Sequence, residues 1–184
     1  KAEFKISDQK QYSAAAALAK RNPDKAIQLL KEGNERFVSG HSIHPNADAS
    51  RLSQAGVENQ GDYAYACVLS CSDSRVPVEI LFDAGVIDIF VVRVAGNVCK
   101  VDEVGSIECG LAHVHTPVLV VLGHTKCGAV VAVTQALQGK GHPLERNIPP
   151  LVAPIQPAVK RAMEEHPDVH GDAIVPYAIE QNVW

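Results

Sequence analysis

Two short polar segments carry the side chains that can act together chemically: Cys71-Ser72-Asp73-Ser74-Arg75 and His124-Thr125-Lys126-Cys127. Each follows a short apolar run, so each should sit where a strand ends, the edge at which open α/β sheets build their sites. Cys71, His124 and Cys127 make a set of soft or borderline donors suited to Zn2+. The H-x-x-C spacing runs through a turn into a helix start, which lets both side chains converge on one ion, and helix N-terminal amides favour thiolate. A loop histidine beside a buried cysteine would give the same two-residue pattern by chance. Cys71, ending its own apolar run, makes chance the poorer account. Three protein ligands leave a position for water, the arrangement of a catalytic rather than a structural zinc.

The neighbouring residues divide by reach. A strand rises about 3.3 Å per residue, so Cys67 lies about 13 Å from Cys71, whereas metal–sulfur bonds are only about 2.3 Å long. Cys67 is therefore read as a small core residue, and Cys99 and Cys109 with it. Asp73 is close enough to Cys71 to reach a metal or its water, and Arg75 lies on the same turn. Alone they would be an ordinary ion pair. Beside an open zinc position, the carboxylate would orient the bound water while Arg75 holds it ionised and away from the metal. If Arg75 let go, Asp73 would take the fourth position and shut the site. Arg93, at the end of a second apolar run, reads either as an anion sensor or as a strand-end salt bridge.

The elements that must position these groups follow from the pattern. Asp8 to Lys20 is helix-prone. Asn22 is placed to cap a second helix with Pro23 in its first turn, carrying Ile27, Leu30, Phe37 and Val38 as one apolar stripe and stopped by Gly40. His41 to Gly61 reads as loop or short helix. Ala64 to Ser70 is apolar on both faces, as a buried parallel strand is. A short helix near Glu79 to Phe82 precedes a strand over Asp88 to Val94. A helix from about Val101 to His115 places Val104, Ile107, Leu111 and Val114 on one face. Val118 to Leu122 is a third strand, followed by helices from about Cys127 to Leu137, from Pro149 to Met163, and from Val175 to the end of the chain. Strand–helix alternation gives an α/β fold, a mostly parallel sheet flanked by helices.

Composition sets the remaining bounds. The 184 residues are 46% hydrophobic and 21% charged, with net charge −4. They are enough for a single domain with its own core over residues 1–184, and their charge suggests neither nucleic acid nor an anionic membrane as partner. No apolar run is long enough to span a bilayer. The five cysteines are an odd number, sparse for a disulfide scaffold, so metal binding is the better use for a pair of them. The first residue is Lys1, which fits a cleaved signal peptide and a truncated sequence equally.

Taken together, C-S-D-S-R, V-V-R-V-A-G-N and G-H-T-K-C-G-A-V resemble the bacterial β-class carbonic anhydrases, over about residues 24–138. The resemblance implies reversible hydration of CO2 to bicarbonate and a proton by attack of zinc-bound hydroxide, with one Zn2+ per chain. It implies Cys71, His124 and Cys127 as ligands, Asp73 and Arg75 as the catalytic dyad, and Val94 and Gly96 beside the CO2 slot. It also implies a homodimer or tetramer, with an N-terminal helical arm of about residues 1–40 packing on the partner. Asp62 stands where family members carry a Gln that points into the partner's pocket, and is the substrate-binding candidate there. A regulated subgroup has a Trp where this chain has Val68, which argues against that form of allostery. Family chains continue past a helix like that over Tyr177–Trp184 into further strands, absent here. The segments L-K-E-G-N-E-R-F-V-S-G and H-P-N-A-D are similar to an often exported bacterial subset, which favours the periplasm. Two thiolates offset the charge of the ion, so its water should titrate above the value of about 7 seen with three histidines, and activity should rise on the alkaline side.

Three rivals fit parts of the pattern. One is hydrolysis of a CO2 analogue such as carbonyl sulfide or carbon disulfide, decided by pocket width. Another is a thiol enzyme with Cys71 as nucleophile and Arg75 as anion binder, which leaves His124 and Cys127 without a role. The last is a noncatalytic zinc scaffold with Asp73 as permanent fourth ligand.

Overall fold

The first helices begin at side-chain caps. The Asp8 carboxylate accepts the Gln11 N–H and opens α1, Gln9–Ala19, and Asn22 accepts from Lys25 to open α2, Pro23–Val38. The structure, a computed structural model, describes residues 5–184; the first four residues of the expected N-terminal arm lie outside them. After α3, Ala49–Ala55, comes β1, Ala66–Cys71, buried along its whole length. Then follow α4, Val78–Leu81, β2, Ile89–Val94, α5, Val101–Glu108, and β3, Leu119–Leu122. The remaining helices are α6, Gly128–Leu137, α7, Ile148–Val152, α8, Gln156–Glu165, and α9, Val175–Gln181. The strands form a parallel sheet in the order β2-β1-β3, flanked by helices. The continuous apolar run of β1 is explained by this central place.

Several expectations are corrected. In α2 the buried face is Ala26, Leu29, Leu30, Gly33 and Arg36, while Ile27, Phe37 and Val38 are exposed. Gly33 decides this: a Cβ there would overlap the Phe82 carbonyl, so the helix packs closest through the residue with no side chain. The helix expected to reach His115 stops at Glu108 and continues as a π-helical turn over Cys109–His113. Gly110 takes the inner position of that turn, where a Cβ would lie 2.9 Å from the Phe90 ring. Cys109 is thereby left on the outside, and Cys99, in the segment leading to α5, is exposed as well; only Cys67 is the core residue expected. Val104 and Leu111 are exposed, and α9 ends at Gln181 rather than running to Trp184.

The chain separates into two compact units. The first comprises the chain up to Val68, with Pro77–Val92 and Gly105–Val120; the second comprises Leu69–Val76, Arg93–Val104 and Val121–Trp184. Polar networks hold the first. The Tyr12 hydroxyl donates to Asp88 at 2.9 Å and meets the Tyr65 hydroxyl at 3.0 Å, while Asn46, Arg51 and the Gly85 N–H also donate to Asp88. Burial pushes the Asp88 carboxyl up, against these donors. α1 is thus anchored within its own unit. Arg36 and Asp83 pair at 2.6 Å with side chains 1% and 0% exposed, and Asp83 also accepts the N–H groups of Ile43 and His44. In the second unit, Val130, Val133, Ile155, Val159 and Ala178 form an apolar core among α6, α8 and α9.

Removing Asp83 would leave the Arg36 guanidinium buried without a countercharge and strip two amides of their acceptor. Asp83→Ala should therefore lower stability by about 3–5 kcal/mol in urea unfolding; a loss under about 1 kcal/mol would show that the pair does not hold this unit.

Candidate metal centre

β1 and β3 are sheet neighbours, so the segments leaving their ends emerge side by side. Cys71 is the last residue of β1. His124 follows β3 by one glycine, and Cys127 is the cap residue of α6. Between them Lys126 sits at φ 57°, a left-handed turn that reverses the chain. The donor atoms of Cys71, His124 and Cys127 all lie within 4.8 Å of one another. Two donors about 2.3 Å from one ion can be at most about 4.6 Å apart, so the set is close to preformed. All three belong to the second unit.

The surroundings of the donors fit a metal. His124 Nδ1 lies 2.8 Å from the Thr125 carbonyl. A carbonyl only accepts, so Nδ1 carries the proton and Nε2 presents its lone pair. That Nε2 is buried and, among the described residues, has no hydrogen-bond partner, which a bound cation would satisfy. Cys71 Sγ accepts the Gly96 N–H at 3.2 Å and the Asp73 N–H at 3.4 Å, so two backbone donors converge on this sulfur. Burial pushes the Cys127 thiol up, and Cys71 beside it adds to this against the amides of Val130 and Ala129. Two buried sulfurs this close can both be anionic only around a positive charge. Two sulfurs and one imidazole suit a soft or borderline divalent ion better than a hard one.

Asp73 is held by Arg75. The guanidinium grips both carboxylate oxygens, Nε to Oδ1 at 2.8 Å and Nη2 to Oδ2 at 2.6 Å, and the Arg75 N–H adds a bond to Oδ1 at 2.9 Å. These hydrogen bonds hold the Asp73 carboxyl well below the usual carboxylate range. Arg75 Nη2 also donates to the Lys126 carbonyl at 2.9 Å, joining the two sequence segments. Asp73 Oδ2 stands 4.0 Å from His124 Nε2. Asp73 is therefore beside the donor set and turned to Arg75.

Arg93 forms no salt bridge among the described residues. Its Nε donates to the Cys71 carbonyl at 3.0 Å and its Nη2 to the Asp73 carbonyl at 2.8 Å, bracing the backbone that carries a ligand and the carboxylate. Gly96 is buried at φ 71°, and Val94 is half-buried. A Cβ on Gly96 would lie 2.7 Å from Ile155 Cδ1. Asp62 is exposed at the end of the 3-10 turn Gln60–Asp62, in the first unit rather than the one holding the donors. Sequence reading missed a cavity of about 570 Å3 bordered by His124, Val121, Val131, Val175 and Ile179. It touches neither Val94 nor Gly96, and only the apolar periodicity of β3 and α9 hinted at it.

A family model described as carbonic anhydrase matches residues 66–184. A carbonic anhydrase of Mycolicibacterium smegmatis is 46% identical over 116 residues, covering 63% of this chain and 55% of that one. Carbonic anhydrase 2 of Mycobacterium tuberculosis gives the same identity over the same length and coverage. The chain thus spans about half the length of the curated relatives it matches. Among solved structures, the β-carbonic anhydrase CcaA superposes with a TM-score of 0.59 at 20% identity, over 86% of this chain and 69% of that one. A tetrameric β-carbonic anhydrase of Sordaria macrospora gives 0.58 at 18%, over 71% and 64%. At such identities the likeness is one of fold.

The geometry makes metal content measurable. The purified protein should hold about one equivalent of zinc, and Cys71→Ala or His124→Ala should lose it on dialysis against a mild chelator. Parent-level zinc in either variant would remove that residue from the donor set.

Proposed function

The chain belongs to the carbonic anhydrase family, in its β class, and on that premise we propose that it catalyses the reversible hydration of carbon dioxide to bicarbonate and a proton. The observation that carries the proposal is the buried Cys71, His124 and Cys127 donor set, with an unpartnered imidazole nitrogen, beside a carboxylate fixed by an arginine. One Zn2+ per chain, held by those three residues, would supply Lewis-acid activation of water at neutral pH.

The chain's own residues do the rest. Arg75 keeps Asp73 ionised, so its Oδ2 can only accept: it takes a hydrogen bond from the reacting water and fixes the direction of that water's lone pair. The carboxyl is held too far below neutrality to serve as the base. Arg93 holds the backbone on both sides of Ser72, so Cys71 and Asp73 keep their spacing. Gly96 meets Cys71 Sγ through its N–H, and on this reading it and Val94 would line the side where an apolar molecule as small as carbon dioxide lies. Asp62 is assigned to a neighbouring subunit's pocket within a homodimer or tetramer. Support for such an assembly is the exposed apolar face of α2, with Ile27, Phe37 and Val38, and the tetrameric β-carbonic anhydrase of similar fold.

Stopped-flow CO2 hydration on the zinc-loaded protein tests this. Asp73→Asn should keep its zinc and lose activity by about 10–100-fold, the usual cost of removing a group that orients a metal site; an unchanged rate would take Asp73 out of the reaction. Zinc without hydration at any pH would reduce the site to a scaffold. Turnover by metal-stripped protein would point to Cys71 as a nucleophile.

A further inference from the structure

The Gly96 N–H reaches Cys71 Sγ from a turn that does not favour itself. Gly96 and Asn97 both have positive φ, 71° and 43°. Glycine adopts this region freely, but for asparagine it costs of order 1 kcal/mol. Something outside the turn must hold it. Asn182, the cap residue at the C-terminal end of α9, donates its Nδ2 to the Gly96 carbonyl at 2.8 Å. In return Asn97 donates its Nδ2 to the Asn182 carbonyl at 3.4 Å. The two asparagines thus clasp the turn from opposite sides, and all the atoms involved lie in the second unit. Ile155 and Ala129 close against the place a Gly96 side chain would occupy, so packing limits where the turn can go without setting the tilt of its peptides.

We propose that Asn182 is a positioning residue for the metal centre: by clasping the Gly96–Asn97 turn it aims the Gly96 N–H at Cys71 Sγ and so tunes that sulfur as a ligand. A hydrogen bond to a thiolate lowers the energy of the sulfur lone pairs, which weakens their donation to a metal and raises the energy of sulfur-to-metal charge transfer. Fixing the ligand in advance removes part of the ordering cost of binding, and this gain outweighs the weaker donation, so affinity falls when the hydrogen bond is lost. Released from Asn182, the turn would relax toward negative φ at Asn97, and the N–H would swing away from the sulfur.

The inference rests on the metal reading, and its test is read from the metal rather than from turnover. Cobalt(II) is loaded into the parent, Asn182→Ala, and the surface control Trp184→Ala, whose side chain is 98% exposed. In Asn182→Ala the sulfur-to-cobalt charge-transfer band should move to lower energy, and zinc affinity measured against a chromogenic chelator should fall by about tenfold or more. Trp184→Ala should match the parent in both. Should Asn182→Ala fail to fold, the nearly isosteric Asn182→Asp replaces it, since its carboxylate cannot donate to the Gly96 carbonyl and should give the same shift. A folded Asn182 variant with an unmoved band and affinity within twofold of the parent would overturn the proposal. So would an equal change in Trp184→Ala. If the parent itself shows no sulfur-to-cobalt band, the metal reading fails, and this inference with it; a band in the parent that Asn182 does not move refutes this inference alone.

Discussion

Two sulfur atoms and an imidazole nitrogen sit within 4.8 Å of one another in a mostly buried place, and that closeness is the constraint the surrounding structure answers to. Buried thiolates repel, and burial pushes the Cys127 thiol up. The chain offsets this with dipoles. Cys71 Sγ has two amide donors, Cys127 faces the first-turn amides of α6, and the Thr125 carbonyl turns the lone pair of His124 inward. These groups lower the cost of the assembled donor set without cancelling it, and a bound cation would supply the remainder.

The sheet provides that placement. Parallel neighbours end at the same edge, so one side chain at the end of β1 and others just past β3 meet without any long loop. β1 is central and wholly buried, which fixes Cys71 most firmly of the three. β2, on its other side, contributes Arg93 and the Gly96 turn. One neighbour thus supplies ligands and the other supplies the groups that orient them.

Legibility in the sequence followed distance along the chain. Asn22 as a cap, Pro23 in a first turn, and the pairing of Asp73 with Arg75 are interactions within a few residues, and local spacing states them. The donor set was legible although it joins positions about fifty residues apart, because each half ends an apolar run and the edge rule brings the ends together. The acceptors of Arg93 were missed because they are backbone carbonyls, which have no signature in residue types. The buried face of α2 was misread because an apolar stripe does not say which side meets a glycine notch, and Gly33 does. Cys99 and Cys109 were misread because exposure follows from the backbone path, in one case from a π-helical turn that no periodicity announces. Asn182 was invisible, since an asparagine at a helix end ordinarily caps its own helix.

The place of Asp73 turns on competition between cations. Two thiolates already balance the charge of a divalent ion, so a third anion in contact would leave the centre negative. Arg75 offers the carboxylate a second cation in a fork that matches both oxygens. Its own grip on the Lys126 carbonyl ties that fork to the segment bearing His124 and Cys127. The Arg75 side chain is 52% exposed, and ion pairs so open to water add little to folding. Stability does not explain three hydrogen bonds converging on one carboxylate there. Geometry does: the pair keeps an acceptor oxygen 4.0 Å from the unpartnered nitrogen of His124, near enough to orient a molecule at the site and too far to join the donor set.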